Sequence, residues 1–543
     1  MMRTGRVALA TALAATAACS STSPLSLDAV RACGAQAVRA PHLIGTYGSF
    51  DPAVSGGCVV FDSNDATDTA EYLVVAQSLG GTPGASAGFG LAAATPGALA
   101  TPPAAAAPPR GSVALQFDGF LRRLAASLPP TGAGSRRATR LLSGPPTTFA
   151  APPAVGDLRS FKVCGDVNCG GLETVTARVR AVGQHVAIYV DTAAPAPGLG
   201  AADVDSLLTE LDQRLYPLDV RTFGTPSDID GNGVVIALVT GAVNALVPRA
   251  QCTSSNYVVG FFFPPDINPN TARSHNDAEI MYLLAPDPAG TLSCPHSVAE
   301  VLALVGGTFV HELQHMINYN QHVLVRGGPP EDAWLDEALS RMAEELAGRS
   351  YLPGDTSAFS SYVLDDLYNA EQYFFDPGGH ALITTTDQDL GDVGAGWLYL
   401  RYLTDQFGTG VLARLTQTSD AGTVNVASAT GRPFAETAAA WALANWYSDL
   451  PDGVRQPELH YTSWSFREAY GSLHGTDPTN FPQAFPLTPQ VVTSDTLSAN
   501  GTLHAGSGSY FRFLRPPGAE ALTVRFSAGE SAIVPRLTVL RIR

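Results

Sequence analysis

Positive charge is scarce in this chain. Its 543 residues include 32 Lys and Arg against 49 Asp and Glu, which gives a formal net charge of −17. The sequence contains no long run of Lys or Arg. Because binding to nucleic acid or to an anionic membrane surface needs a concentrated basic patch, the composition argues against both kinds of partner.

Charged residues are few overall, and long apolar runs are missing beyond the N-terminal segment. Charged side chains make up 15% of the chain and hydrophobic ones 45%. That balance is typical of well-buried globular proteins and not of disordered chains. No later apolar run is long enough for a membrane-spanning helix. The length favours several domains over a single core.

The N-terminus is predicted to be an export signal over residues 1–18. "MMRTGR" is short and basic, and "VALATALAATAA" is apolar but too short to cross a membrane. Two interpretations of its end stay open. In one, Cys19 is lipidated, as in a bacterial outer-membrane lipoprotein; in the other, ordinary cleavage follows Ala18. Both predict an exported protein, held in the bacterial cell envelope or secreted.

Cysteine is uncommon, with 7 residues in the whole chain. Leaving out Cys19, an even number remains, and an even number in an exported chain predicts disulfides. The alternative is buried free thiols, and the spacing does not resemble a zinc cluster. Sequence order favours the pairs Cys33–Cys58, Cys164–Cys169 and Cys252–Cys294.

Alternating strand-like and helical stretches predict an α+β protein made of several parts. Residues 26–128 are expected to form a β-rich N-terminal domain or a removable pro-segment, followed by a Pro/Gly-rich linker at 129–157. Residues 158–470 are predicted to be one compact unit, with its strands first and its helices afterwards. Residues 484–543 return to short alternating strands, which predicts a C-terminal β-sandwich-like domain.

The most informative stretch is "GTFVHELQHMINYN", which contains the pattern H-E-x-x-H. On a helix, His311 and His315 are four residues apart and leave the same face, so both imidazoles can bind one zinc ion. Glu312 is turned about 100° round the helix, where it can reach a metal-activated water instead. The pattern predicts a zinc peptidase in which Glu312 is the general base.

A catalytic zinc needs a third protein ligand and one open position. Glu337 lies beside the apolar stripe of the helix predicted in "EDAWLDEALSRMAEEL", 22 residues after His315. The intervening "RGGPP" allows this helix to fold back, so Glu337 is predicted to complete a site for one zinc per chain. No later His has the metzincin spacing, which disfavours that subclass.

"HELQHMINYNQ" followed by "WLDEALSRMAEEL" resembles the hyicolysin-like zinc metallopeptidases of the gluzincin group. The resemblance covers roughly 158–470. It implies a thermolysin-like catalytic domain between the β-rich N-terminal and C-terminal accessory domains. It also implies that zinc is held by His311, His315 and Glu337, and that Glu312 is catalytic.

One position departs from the relatives of thermolysin. Arg341 stands where they carry an Asp that orients a zinc-bound His. Glu344 lies on the same helix face and is either a substitute for that Asp or an ordinary solvated residue.

"DIDGNG" suggests a second metal. Asp228, Asp230 and Asn232 match the first ligand positions of an EF-hand loop, but Val239 stands where the bidentate Glu is required. An EF-hand is therefore excluded. A looser Ca²⁺ site and a tight turn between strands both stay open as interpretations.

Substrate contacts are predicted less directly. Stabilising an oxyanion needs a donor besides the zinc, and Tyr399, Tyr402 and His380 are the candidates, each with a purely structural role as its alternative. The strand in "AEIMYLL" is a candidate edge on which an extended peptide docks by strand addition.

Together these features predict an exported zinc-dependent endopeptidase that acts on proteins or peptides. Two alternatives are weighed against it. An aminopeptidase-type gluzincin would carry a G-x-M-E-N-like signature upstream of the zinc helix, and none is seen. A cell-surface binding lipoprotein on a metallopeptidase scaffold would not need all four of His311, Glu312, His315 and Glu337.

Overall fold

The structure is a computed structural model, which describes Cys33 and residues 36–93, 112–130, 151–253, 256–451, 453, 456–493, 495–529 and 532–543. The predicted export signal, Cys19 and most of the predicted linker lie outside the described residues. Within the described ranges, no helix is long and apolar enough to cross a membrane.

The secondary structure alternates between strands and helices. In chain order the strands are β1 (Val38–Arg39), β2 (Tyr47–Phe50), β3 (Cys58–Phe61), β4 (Ala70–Gly81), β5 (Ser86–Ala93), β6 (Leu158–Cys164), β7 (Leu172–Val182), β8 (Val186–Asp191), β9 (Val235–Thr240), β10 (Gly260–Phe262), β11 (Ile280–Leu284), β12 (Gln490–Val492), β13 (Leu497–His504), β14 (Gly508–Arg515), β15 (Leu522–Ala528) and β16 (Ile533–Arg541). The α-helices are α1 (Pro52–Ser55), α2 (Val113–Ser127), α3 (Ala201–Glu210), α4 (Tyr216–Phe223), α5 (Gly241–Ala245), α6 (Val298–Tyr319), α7 (Ala333–Arg349), α8 (Thr356–Phe375), α9 (Leu390–Phe407), α10 (Gly410–Thr416), α11 (Gly422–Thr430), α12 (Phe434–Tyr447) and α13 (Phe466–Thr476).

A mixed six-stranded sheet supports the helical part, with strand order β10-β11-β9-β8-β7-β6. Strands β8, β9 and β11 run parallel, while β10, β7 and β6 are antiparallel additions. The continuous apolar sequences of β9 and β11 are explained by their complete burial. The predicted edge strand in "AEIMYLL" is therefore an interior strand, because β11 lies between β9 and β10. The edge itself is β10.

Helix α6 packs against β10 and β11 and begins with a capping box. The Ser297 hydroxyl accepts a hydrogen bond from the backbone N–H of Glu300 at 3.2 Å, and the Glu300 carboxylate accepts one from Ser297 N–H at 2.7 Å. The helix runs through Gly306 and Gly307 without a break. A β-carbon at Gly306 would overlap the Tyr362 hydroxyl, so close packing against α8 accounts for this glycine.

The two ends of the described chain form one β-sandwich. Strand β5 pairs with β13 and β15, and β4 pairs with β14 and β16. Apolar side chains of the two five-stranded sheets meet in a common core that includes Phe61, Val74, Phe513 and Val539. The prediction of two separate accessory domains is therefore wrong. Sequence alone could not join strands that lie more than 400 residues apart, since pairing partners are set by tertiary packing.

Helix α2 is not part of the β-sandwich, although the predicted N-terminal domain included it. The Phe117 ring contacts the Phe261 ring of β10 edge-to-face, with centroids 5.1 Å apart. The Arg122 guanidinium donates to the Asp336 carboxylate of α7 at 2.7 Å. Helix α2 therefore belongs to the helical part of the molecule.

The three predicted disulfides are all present, which confirms the pairing by sequence order: Cys33–Cys58, Cys164–Cys169 and Cys252–Cys294. The last of them joins the chain before the edge strand β10 to the chain just before α6. The predicted α+β class is also confirmed by the helices and the three sheets.

Candidate metal centre

Three predicted ligands come together between α6 and α7. His311 Nε2 lies 3.1 Å from His315 Nε2, and the Glu337 Oε2 atom lies 3.6 and 3.7 Å from these two nitrogens. Ligands arranged tetrahedrally around zinc at about 2.0–2.1 Å stand about 3.3 Å apart, so this spacing fits one zinc ion. All three side chains are buried.

One oxygen of Glu337 is the atom whose surroundings fit a cation best. Glu337 Oε2 has no hydrogen-bond partner among the described residues, although the residue is only 3% exposed. Its other oxygen accepts from Arg341 Nε at 3.0 Å. A buried carboxylate oxygen without a donor is costly, and a metal ion shared with the two imidazoles would remove that cost.

The charges around the site favour a cation. Burial alone would lower the pKa of His311, but the Glu337 carboxylate raises it well above its usual value. Conversely, burial would raise the pKa of Glu337, yet His311 and Arg341 hold it well below its usual range. The arrangement therefore attracts positive charge, which a divalent ion would supply in place of protons.

A carboxylate contacts the Nδ1 atom of each imidazole, on the side of the ring away from the Nε2 atom. Glu344 Oε1 lies 2.6 Å from His311 Nδ1, and Asp336 Oδ2 lies 3.1 Å from His315 Nδ1. Such contacts fix the tautomer and aim the Nε2 atoms at the metal position. Of the two roles suggested for Glu344, this contact fits the substitute for the orienting Asp and not a solvated surface residue. Asp336 was not anticipated, although a second acid directly before a candidate ligand is a usable signal.

Glu312 lies beside the ligands, in a cleft of about 260 Å³ that is also lined by His311, Glu337 and strand β10. Its Oε2 atom accepts a hydrogen bond from the backbone N–H of Phe262 at 2.8 Å. This contact ties the carboxylate to the edge strand. Glu312 is therefore held next to the metal position without belonging to the ligand group.

A further acid reaches the site from α2, which the sequence did not suggest. Asp118 Oδ1 lies 4.0 Å from His315 Nε2 and 3.5 Å from the Arg122 guanidinium. Burial raises the pKa of Asp118 to about 6, against the opposing effect of Arg122. Together with Leu115, Phe117 and Leu121 of the same helix, Asp118 lines the cleft.

The three candidate oxyanion donors are not at the cleft. The Tyr399 hydroxyl is 2.7 Å from that of Thr437, and the Tyr402 hydroxyl donates to a backbone carbonyl. His380 lies 3.0 Å from Asp389, whose carboxylate caps the start of α9. These residues have structural roles. The tyrosines that do line the cleft are Tyr257 and Tyr362.

The second predicted metal site is a separate group. Asp228 and Asp230 lie together near Glu279, which stands just before β11. The Asn232 side chain is engaged within the turn, where its Oδ1 accepts from Val234 N–H at 2.8 Å and its Nδ2 donates to Asp230 at 2.8 Å.

No family model matches the chain. The chain is similar to the neutral metalloprotease ShpI of Staphylococcus hyicus, with 27% identity over 208 residues. The match covers 37% of this chain and 42% of ShpI, so it spans less than half of the relative's length. The His311–His315–Glu337 group is compatible with a bound metal ion, in keeping with this distant similarity.

Proposed function

We propose that the protein is an exported zinc-dependent endopeptidase of the hyicolysin-like type, with a thermolysin-like catalytic domain. The observation that supports this most is the unpartnered Glu337 Oε2 atom, which faces both imidazoles in the cleft that also holds Glu312. Export is supported by the three disulfides, because such bonds persist in oxidising compartments.

Each residue of the proposed site has its own role in peptide hydrolysis. A bound zinc supplies Lewis acidity, which lowers the pKa of a water molecule and polarises the scissile carbonyl. Glu312 takes the proton of the attacking water and then delivers it to the leaving amine. Glu344 and Asp336 keep the imidazoles of His311 and His315 oriented, so these two side chains need no rearrangement during the reaction.

The edge strand β10 is the proposed binding site for an extended substrate peptide. Its backbone stands at the end of the sheet, and its last residue, Phe262, also holds Glu312. An extended peptide that adds to β10 as a further strand therefore passes beside the catalytic carboxylate. This mode of binding suits proteins and peptides of varied sequence, since backbone hydrogen bonds supply much of the affinity.

The test is the zinc content and casein hydrolysis of the purified full chain. We expect one zinc per chain, hydrolysis that a chelator abolishes, and recovery when zinc is returned. The matched control is His315→Ala, which should hold no zinc and cleave nothing. A wild-type chain without zinc, or hydrolysis that resists the chelator, would contradict the proposal. A binding protein on a metallopeptidase scaffold would leave casein intact even when loaded with zinc.

A further inference from the structure

A second group of carboxylates lies at the start of strands β9 and β11. Asp228 and Asp230 belong to the turn before β9, and Glu279 directly precedes β11. The two strands are parallel neighbours, with Ile280 beside Ile236, so the sheet brings these segments together. One carboxylate oxygen from each of the three residues lies within 4.8 Å of the others.

Glu279 is the residue that points to a ligand. Its side chain is 1% exposed, and its Oε1 atom accepts from the Ser227 hydroxyl at 2.6 Å and from Ile229 N–H at 2.9 Å. Its Oε2 atom has no partner among the described residues. A buried oxygen without a donor, next to two further acids, needs a positive partner.

For these three acids the described residues supply one nearby positive charge, the Arg159 guanidinium, which forms an ion pair with Asp230. The Arg159 guanidinium is 3.7 Å from Asp230 Oδ2, which is too far for a hydrogen bond. The group therefore gains from a cation that all three acids can share.

We propose that Asp228, Asp230 and Glu279 bind one Ca²⁺ ion. Carboxylate oxygens are the ligands that this hard cation prefers, and its flexible coordination suits acids from a turn and a strand. Glu279 supplies the third carboxylate, which Val239 does not provide in the local sequence. Asn232 shapes the turn through its own hydrogen bonds instead of acting as a ligand.

The ion would fasten the turn to the central sheet near the end of the helix that carries His311 and His315. Thr225, at the start of this turn, accepts hydrogen bonds through its carbonyl from Asn320 at 2.9 Å and Gln321 at 2.7 Å. Both donors follow α6 directly. Calcium should therefore stabilise the fold around α6 without taking part in hydrolysis.

The test is Ca²⁺ binding by the zinc-loaded full chain, measured by calorimetric titration with CaCl₂ and by thermal unfolding in CaCl₂ against EGTA. We expect one Ca²⁺ per chain and a Tm rise of about 2 °C or more, larger than the rise with MgCl₂. Glu279→Gln should abolish both effects. The exposed acid Glu436 provides the control, since Glu436→Gln should bind Ca²⁺ like wild type.

Two results would overturn the calcium site. One is a wild-type chain that binds no Ca²⁺; the other is a Glu279→Gln chain that binds it as wild type does. If Glu279→Gln does not fold, Asp230→Asn is titrated in its place, with the same expected loss. Zinc content is measured in every sample, so loss of the catalytic metal is not mistaken for loss of calcium.

Helix α2 carries a second and independent inference, which rests on the proposed function. It lies along the edge strand β10, where substrate is proposed to dock, and Phe117 packs on Phe261. Asp118 is 4.0 Å from His315 Nε2 in the same cleft. Arg122 anchors the helix through Asp336, the carboxylate that supports His315.

We infer that α2 is an inhibitory segment that occupies the substrate cleft and brings Asp118 to the open side of the metal position. Removing all of residues 26–128 would also remove β1–β5 and break the sandwich. The inhibitory element is therefore α2 alone. Displacement of α2 would expose β10. Asp336 would lose its contact with Arg122 and keep its contact with His315.

The test compares wild type with Asp118→Asn and Phe117→Ala, which weaken the two contacts separately. Both should raise the rate of peptide hydrolysis. In the Co²⁺-substituted protein, Asp118→Asn should also shift the visible absorption bands, which report the metal's ligands. The control is Ser127→Ala at the exposed end of α2, where the hydroxyl donates to the Leu124 carbonyl of the same helix; this variant should match wild type.

Failure of this inference differs from failure of the proposed function. Unchanged rates and unchanged Co²⁺ bands in both variants would overturn the inhibitory role while leaving peptidase activity in place. No hydrolysis by any variant that retains zinc would instead contradict the proposed peptidase.

Discussion

The proposed zinc centre and the Asp228–Asp230–Glu279 group are built in opposite ways. In the proposed zinc centre, two candidate ligands stand one turn apart on α6, and a carboxylate contacts the Nδ1 atom of each imidazole. In the acidic group, two acids come from a turn and the third is the residue before β11, 49 residues after Asp230. A site that lies largely on one helix leaves a compact sequence motif, whereas a site assembled by a sheet leaves only part of one.

The largest expected effect separates the two groups by metal. His315→Ala should lose its zinc and reduce hydrolysis to the level of the chelator-treated protein, because two ligands cannot hold a catalytic zinc. Asp230→Ala should keep its zinc. Metal analysis of both variants checks this, and zinc loss in Asp230→Ala would show that the two groups are not independent.

The next effect distinguishes a base from a ligand within the zinc centre. Glu312→Gln should keep zinc and lower hydrolysis by about 10²–10⁴-fold, since the amide cannot accept the proton of water. Glu337→Gln should lose zinc and activity together. Zinc content and initial rates are measured on the same samples. If the Glu312→Gln variant held no zinc, the assignment of Glu312 as a base and not a ligand would be wrong.

A smaller effect on zinc binding is expected from Glu344 and Asp336, which contact the Nδ1 atoms of the two imidazoles. Glu344→Gln and Asp336→Asn should each weaken zinc affinity by about 10–100-fold, because the amides hold the imidazole nitrogens less firmly. Competition with a chromogenic chelator measures this affinity. Wild-type affinity in both variants would mean that the contacts at His311 and His315 do not support the ligands.

The smallest effect tests how tightly the zinc helix is packed. Gly306→Ala should destabilise the fold by about 1–3 kcal/mol, because its β-carbon would overlap the Tyr362 hydroxyl. Gly307→Ala has its nearest neighbour atom at 3.8 Å, so it should stabilise the helix by up to about 1 kcal/mol. Chemical denaturation of both variants measures the difference, and equal effects would contradict the packing described.

The contrast between the two metal groups also explains what the sequence could predict. Helical spacing alone brings His311 and His315 to one face, and the apolar stripe of α7 brings Glu337 towards them. Glu279 gives no such signal, because its place beside Asp230 depends on the order of strands in the sheet.

Helix α2 shows the limit of local reasoning most clearly. The sequence placed residues 26–128 in a β-rich domain and did not indicate that α2 packs against the proposed zinc centre. Asp118 precedes His311 by 193 residues, and part of the chain between them lies outside the described residues. Contacts of this separation depend on the whole fold, so neither spacing nor composition could have indicated them.

The pairing of the two chain ends in one β-sandwich has a consequence for synthesis. Strand β4 lies between β14 and β16, so its partners leave the ribosome only after the whole helical part has been made. Until then, the long apolar strand β4 lacks both strands that pair with it and is exposed to aggregation. Chaperone binding to nascent chains should therefore be strongest before β16 emerges, and truncation ahead of β16 should yield insoluble protein even though His311, His315 and Glu337 are all present.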